Sequence, residues 1–204
     1  MINSLHYISQ QTANASHVDN ILAACEAGCK WIQLRIKNEP EESIRRQAMA
    51  AKAICAKYNA TLIINDHPQV AATIGAHGVH VGKEDMTVAA ARALTGDNFI
   101  IGGTANTLED ILAHVKDGAD YVGVGPYRFT TTKEKLSPVL GLEGIAGIMS
   151  SLRNMGIHIP VIAIGGILAA DVPALMQTGI HGIAVSGLIT HADNKLLTVS
   201  SLAI

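Results

Sequence analysis

Aromatic side chains are scarce. Phe, Trp and Tyr make up 3% of the 204 residues, too few to build the stacking platforms that hold single-stranded nucleic acid. Positive charge is not in excess either. The formal net charge is −2, so no broad basic surface is available to attract nucleic acid or an anionic membrane. No apolar run approaches the roughly 20 residues of a membrane span. The first ten residues, MINSLHYISQ, have neither a charged n-region nor an apolar h-region, so no signal peptide is expected and the chain reads as cytoplasmic. Cysteine is limited to Cys25, Cys29 and Cys55. An odd number without metal-type CxxC spacing implies small buried thiols in a reducing compartment. None has an obvious paired base, which argues against a thiol nucleophile.

What is abundant is apolar, branched sequence. Hydrophobic residues make up 49% of the chain, enough for one substantial core and a single domain over 1–204. Strands are expected at 5–8, 31–36, 61–64, 79–81, 99–102, 121–124, 161–164 and 182–185. Helical segments fall between them, near 15–28, 41–58, 68–75, 87–95, 107–117, 141–155 and 169–178, with a short one after Asn194. Alternating units with buried strands predict an α/β fold, and their even spacing favours a closed (β/α)8 TIM barrel over a doubly wound open sheet. Glycines at 75, 118 and 179 stop helices shortly before the strands that follow.

The stretch 61–85, TLIINDHPQVAATIGAHGVHVGKED, reads as strand, helix, strand. Such a parallel unit brings the carboxyl ends of both strands to one edge of a sheet. Asp66 and Asp85 follow those ends. Two carboxylates at one rim repel unless a cation lies between them, and hard oxygen ligands suggest Mg2+. Two acidic loop residues facing water are an equally good reading of this stretch alone. His67 adjoins Asp66 and could sit near a site, although most such histidines are only neighbours. His80 lies in an apolar strand and reads as a packed residue.

The second strand carries a clearer signal. Period-two alternation puts Ile32, Leu34 and Ile36 on one face and Trp31, Gln33, Arg35 and Lys37 on the other. In a barrel the apolar set packs under helices and the other set points inward and upward. An amide and two cations converging there call for an anionic ligand, and Arg grips phosphate bidentately. The competing reading is the solvated face of an edge strand. The connection after strand six, Gly125 to Lys133, is long and holds Thr130, Thr131 and Thr132 before Lys133. It could cover a substrate and cradle a phosphate, although Ser/Thr-rich loops are common. Gly165-Gly166 ends strand seven and Ser186-Gly187 ends strand eight, the places where barrels often bind phosphate through backbone N–H groups.

Taken together, QLRIK at 33–37, IIND at 63–66, GVHVGKED at 78–85, GVGPYRFTTTK at 123–133 and VIAIGGI at 161–167 resemble the thiamine-phosphate synthase family over nearly the whole chain. The resemblance implies a barrel that joins an aminopyrimidine methyl diphosphate to a thiazole phosphate, giving thiamine phosphate and pyrophosphate. It implies Gln33, Leu34, Arg35, Ile36, Lys37, Asn65, Thr104 and Lys133 as contacts of the pyrimidine diphosphate. Asp66 and Asp85 become Mg2+ ligands. Thr130, Thr131, Thr132, Gly166, Ser186 and Gly187 become the thiazole-phosphate site. Three positions depart from the family pattern: Thr104 stands for a Ser, Arg128-Phe129 for Phe-Pro, and Ser186-Gly187 for an aliphatic residue followed by Ser.

The chemistry implied is a dissociative substitution at the pyrimidine methylene carbon, with Arg35, Lys37 and Lys133 stabilising the departing pyrophosphate as catalytic residues. No protein nucleophile is needed. The expected partners are the two small-molecule substrates, with neither nucleic acid nor membrane, and self-association into a homo-oligomer is left open. A thiazole tautomerase on the same barrel is the nearest alternative, but it would not need the diphosphate and metal set. A non-catalytic thiazole-phosphate or thiamine-phosphate binding protein would keep the glycine turns and lose the carboxylates.

Overall fold

The computed structural model describes residues 1–129 and 138–202. Eight parallel strands close into a barrel in chain order, the last pairing with the first. They are β1 (Leu5–Ile8), β2 (Trp31–Leu34), β3 (Thr61–Asn65), β4 (Gly78–Val81), β5 (Ile100–Ala105), β6 (Tyr121–Val124), β7 (Val161–Ile164) and β8 (Gly182–Val185). The helices are α1 (His17–Glu26), α2 (Glu41–Lys57), α3 (Pro68–Ile74), α4 (Val88–Thr95), α5 (Leu108–Lys116), α6 (Gly141–Asn154), α7 (Val172–Gln177), α8 (Gly187–Thr190) and α9 (Lys195–Ser201). The expected (β/α)8 barrel is therefore the fold observed.

Local sequence explains where these elements begin and end. Ser16 and Thr107 cap α1 and α5, each returned by the Asp three residues on, so that two orphan N–H groups are satisfied at each start. Pro68 stands at the start of α3, where its missing N–H costs nothing, and Gly75 ends the helix in the left-handed region at φ 64°.

The alternation of β2 sorts its side chains as expected. Ile32, Leu34 and Ile36 join the core between strands and helices. Trp31 points into the barrel with Ile8, Ile63, Tyr121, Ile162 and Ala184. Trp31, Ile63, Tyr121 and Ile162 fill the interior below, while Ile8 and Ala184 reach the cavity above it. The His6 ring stacks on Trp31 with centroids 4.4 Å apart, and Tyr121 meets Trp31 edge-on at 5.6 Å. Burial pushes the His6 imidazole down to about 3, so this layer is neutral as well as packed. The strands thus carry a filled base and leave polar side chains only toward their carboxyl ends, which is where a barrel of this class puts its chemistry.

Among the strands, β5 and β2 depart furthest from expectation. β5 was expected at 99–102 and instead runs to Ala105 through Gly102-Gly103-Thr104. Those glycines do not end the strand. A Cβ at Gly102 would run into the Tyr121 ring and His80, and one at Gly103 would strike the His114 ring. β2 ends at Leu34 rather than at Ile36. The helix α8 after β8 was not foreseen, because GLIT is too short to show helical periodicity.

Candidate active site

The upper end of the barrel opens into a cavity of about 450 Å3. Its β2–β3 wall is formed by Gln33, Arg35 and Asn65. The register pairs Gln33 with Ile63 and Asn65 with His80 across neighbouring strands, so these side chains climb the wall in steps. The Gln33 amide donates to Asn65 Oδ1 at 2.6 Å, which fixes both amide groups and leaves their remaining donors and acceptor for a ligand. Ser9 supports the next step. Its hydroxyl accepts from the Arg35 backbone N–H at 3.1 Å and pairs with His17 Nδ1 at 2.9 Å.

Above that wall lie the charged residues. Asp66 ends β3 in the left-handed region at φ 64°, a conformation Asp tolerates better than most side chains, and its N–H donates to the His80 carbonyl at 2.8 Å. The bend brings its carboxylate against that of Asp85. Lys37 forms an ion pair with Asp66. Asp85 accepts from the Gly82 N–H at 3.0 Å, and a Cβ at Gly82 would lie against the Asp85 carboxylate, so glycine is required for this close approach. The Asp85 carboxyl is pushed above the usual carboxylate range, first by burial and then by its hydrogen bond to, and the charge of, Asp66.

These two carboxylates fit a divalent cation. They face one another, Asp85 resisting ionisation first through burial and then through Asp66, and Lys37 offsets them in part. Among the described residues no group of three or more His, Cys, Asp or Glu converges to hold a metal. Mg2+ is characteristically held by one or two carboxylates with substrate phosphate and water completing the shell, so two are sufficient here.

The opposite wall is built differently. Gly165, Gly166, Ser186 and Gly187 line the cavity where β7 and β8 end. Gly165 and Gly166 have φ of 99° and 66°, and a Cβ at Gly166 would lie 2.9 Å from the Phe129 carbonyl. The Ser186 hydroxyl donates to Gln10 Oε1 at 2.8 Å. Arg128, one of the departures from the family pattern, ties this wall to the connection after β6. Its guanidinium donates to the Gly166 carbonyl at 2.7 Å and to both Asp171 carboxylate oxygens at 2.8 and 3.0 Å. That pairing holds the Asp171 carboxyl below the usual range.

The structure therefore brings Gln33, Arg35, Asn65, Thr104, Gly166, Ser186 and Gly187 to one cavity, and brings Lys37, Asp66 and Asp85 together just past the ends of β2, β3 and β4. Leu34 and Ile36 do not point there. Their side chains are 1% and 2% exposed in the outer core, so only their backbone can face a ligand. Thr130, Thr131, Thr132 and Lys133, the latter part of the expected covering connection, lie outside the described residues. Sequence reasoning passed over His80 and Asn106, which both line the cavity. His80 is buried, as expected, yet its ring faces the cavity rather than an apolar core. The register that pairs it with Asn65 on one side and Gly102 on the other was the available signal. Asn106 donates through its side-chain amide to the Gly125 carbonyl and so anchors the turn after β6. The three cysteines are free and buried, as expected, and among the described residues no helix is long and apolar enough to cross a membrane.

Comparison with known proteins bears on this site. The family model described as thiamine monophosphate synthase matches residues 5–189. A thiamine-phosphate synthase of Bacteroides fragilis is 51% identical over 193 residues, covering 95% of each chain. One of Flavobacterium johnsoniae is 50% identical over 202 residues, covering 99% of this chain and 95% of its own. The structure of a thiamine phosphate pyrophosphorylase from Pyrococcus furiosus superposes with a TM-score of 0.85 at 32% identity, covering 98% of this chain and 93% of that one.

Proposed function

The chain belongs to the thiamine monophosphate synthase family, and from that premise we propose how its cavity joins a pyrimidine methyl diphosphate to a thiazole phosphate. The observation that carries the reading is that Gln33, Arg35 and Asn65 line one cavity, while Asp66, the residue after Asn65, meets both Asp85 and Lys37. A diphosphate is the ligand class that uses a guanidinium fork, a lysine and a metal-binding carboxylate pair at once.

In this reading Gln33 and Asn65 hold the pyrimidine diphosphate against the β2–β3 wall, and Arg35 grips its phosphoryl oxygens. Asp66 and Asp85 hold Mg2+, which when bound neutralises charge on the diphosphate. The bond between the methylene carbon and the diphosphate oxygen breaks, and its electron pair leaves with pyrophosphate. Arg35 and Lys37, with Lys133, stabilise that departing charge. The exocyclic amine of the pyrimidine spreads the positive charge left at the methylene carbon. The thiazole nitrogen then donates its lone pair to that carbon. The turns at Gly165-Gly166 and Ser186-Gly187 bind the thiazole phosphate through backbone N–H groups and hold that nitrogen in line. The apolar wall of Ile8, Ile164 and Ala184 limits the water that could capture the cation instead.

Lys37 is paired with Asp66 without a ligand. In this reading Lys37 would turn from Asp66 toward the phosphoryl oxygens once the diphosphate is bound. We assign the activity to a single catalytic domain over 1–204 and to the cytoplasm, in keeping with three thiols that remain free. The test is to mix both substrates with Mg2+ and follow products. Thiamine phosphate and pyrophosphate forming in equal amounts, and only with the metal, is the expected result. Isomerised thiazole phosphate with no pyrophosphate would replace this reading with a tautomerase.

A further inference from the structure

Thr104 reaches the cavity from near the carboxyl end of β5, and its hydroxyl has a partner behind it. The Thr104 Oγ1 lies 3.0 Å from His80 Nε2, and His80 Nδ1 lies 3.1 Å from the Tyr121 hydroxyl. The three groups sit on adjacent strands, β4, β5 and β6, in a pocket that only glycine leaves open. A Cβ at Gly102 would collide with the Tyr121 ring and His80 Nδ1, and one at Gly123 would press on His80 Cε1 at 3.2 Å. The imidazole is thus boxed in on both sides, with a hydroxyl within hydrogen-bond distance of each ring nitrogen.

We propose that His80 is a positioning residue that transmits a hydrogen-bond direction from Tyr121 to Thr104, making the Thr104 hydroxyl a donor into the cavity. This rests on the reading that the cavity takes a pyrimidine diphosphate, and it specifies the contact made there. The direction follows from the buried end. Tyr121 is 1% exposed, and burial pushes its phenol well above its ordinary range, so it keeps its proton. A buried O–H needs an acceptor, and among the described residues the Tyr121 hydroxyl has His80 Nδ1. With Nδ1 accepting, the neutral imidazole carries its proton on Nε2 and donates to Thr104 Oγ1. The Thr104 proton then points away from His80, toward the cavity. Such a donor matches a ring nitrogen of the pyrimidine and mismatches its exocyclic amino group. His80 therefore selects which edge of the ring lies against β5, and so where the methylene carbon points.

Two measurements test this. The first needs no substrate. In 15N-histidine protein, with His80→Gln used to assign the resonance, His80 should show a protonated Nε2 and an unprotonated Nδ1. The opposite tautomer overturns the proposal. The second is a kinetic cycle. Tyr121→Phe removes the head of the chain and keeps its ring. It should raise KM for the pyrimidine diphosphate about five- to tenfold, the scale of one net hydrogen bond, and leave KM for thiazole phosphate unchanged. In a Thr104→Val background the same substitution should change nothing further, whereas in Thr104→Ser its effect should return. Equal Tyr121→Phe effects in the Val and native backgrounds, or equal effects on both substrates, overturn the chain as a positioning device. If the native protein couples no substrates at all, the proposed function fails and the kinetic meaning falls with it, while the tautomer still decides the direction of the bonds.

Discussion

The two sides of the barrel mouth differ in what they offer a ligand, and in the proposed function each holds phosphate in its own way. The β2–β4 side uses side chains with charge: Arg35, Lys37, Asp66 and Asp85. The β7–β8 side uses glycine and a single hydroxyl, so that backbone can approach a ligand with no side chain in front of it. A diphosphate that must leave carries more charge after the reaction than before. Groups that strengthen with that charge belong beside it. The phosphate of the other substrate does not change during coupling, and a wall of fixed backbone groups suits it. In the proposed function the asymmetry separates a side that stabilises the transition state from a side that only binds.

The largest effect should come from the charged side. Asp66→Ala should lower turnover on the order of 100-fold or more, the scale of losing a group that stabilises developing charge. It should also remove the dependence on Mg2+ while circular dichroism is unchanged. Metal-dependent turnover at the native rate in the folded variant would remove the asymmetry altogether. On the glycine side, Gly166→Ala forces a Cβ into the left-handed region and toward the Phe129 carbonyl. A cost of about 1–3 kcal/mol of stability is expected, read as a lower urea midpoint. The loss of binding should fall on thiazole phosphate rather than on the diphosphate.

Asp85 sharpens the comparison through pH. Its folded pKa is raised, so the metal-free fold is favoured by its protonation and that contribution is lost as pH rises through the folded value. The proton also competes with the cation. Apparent Mg2+ affinity, by calorimetry, should therefore weaken as pH falls, beginning above the usual carboxylate range. Asp85→Asn should abolish this dependence and raise the unfolding midpoint of the metal-free protein at neutral pH. Binding of thiazole phosphate should be indifferent to the same substitution. The smallest effect concerns Arg128. Its ion pair with Asp171 is exposed, so Arg128→Ala should raise KM for thiazole phosphate only about two- to fivefold, with the diphosphate KM unaltered.

The charged side was legible in the sequence because alternation is local. Four residues two apart, Trp31 and Gln33 in β2 and Arg35 and Lys37 just past it, announce one face of the segment once the strand is recognised, and the order of units announces the barrel. The convergence of Asp66 with Asp85 also followed from topology alone. What could not be read depends on neighbours across the sheet. Gly102 and Gly103 resembled a strand end, and only the rings of Tyr121, His80 and His114 packed against them explain why they lie in its middle. His80 looked like core for the same reason, since an apolar run hides which face is empty. Arg128 looked like the loss of a stiff Phe-Pro pair. Its clamp on Asp171 and Gly166 joins residues distant in sequence that no spacing rule connects.

The division between the two sides is tested most directly by Arg35→Leu, titrated calorimetrically with each substrate separately in the presence of Mg2+. Leu fills part of the volume but offers no donor. The account predicts that affinity for the pyrimidine diphosphate falls about 10- to 100-fold, the loss of roughly 1.5–3 kcal/mol from a charge-assisted contact. Affinity for thiazole phosphate should stay within about twofold of the native value, well inside the scale of a single net hydrogen bond. Equal losses for both ligands, or a loss confined to thiazole phosphate, would contradict it.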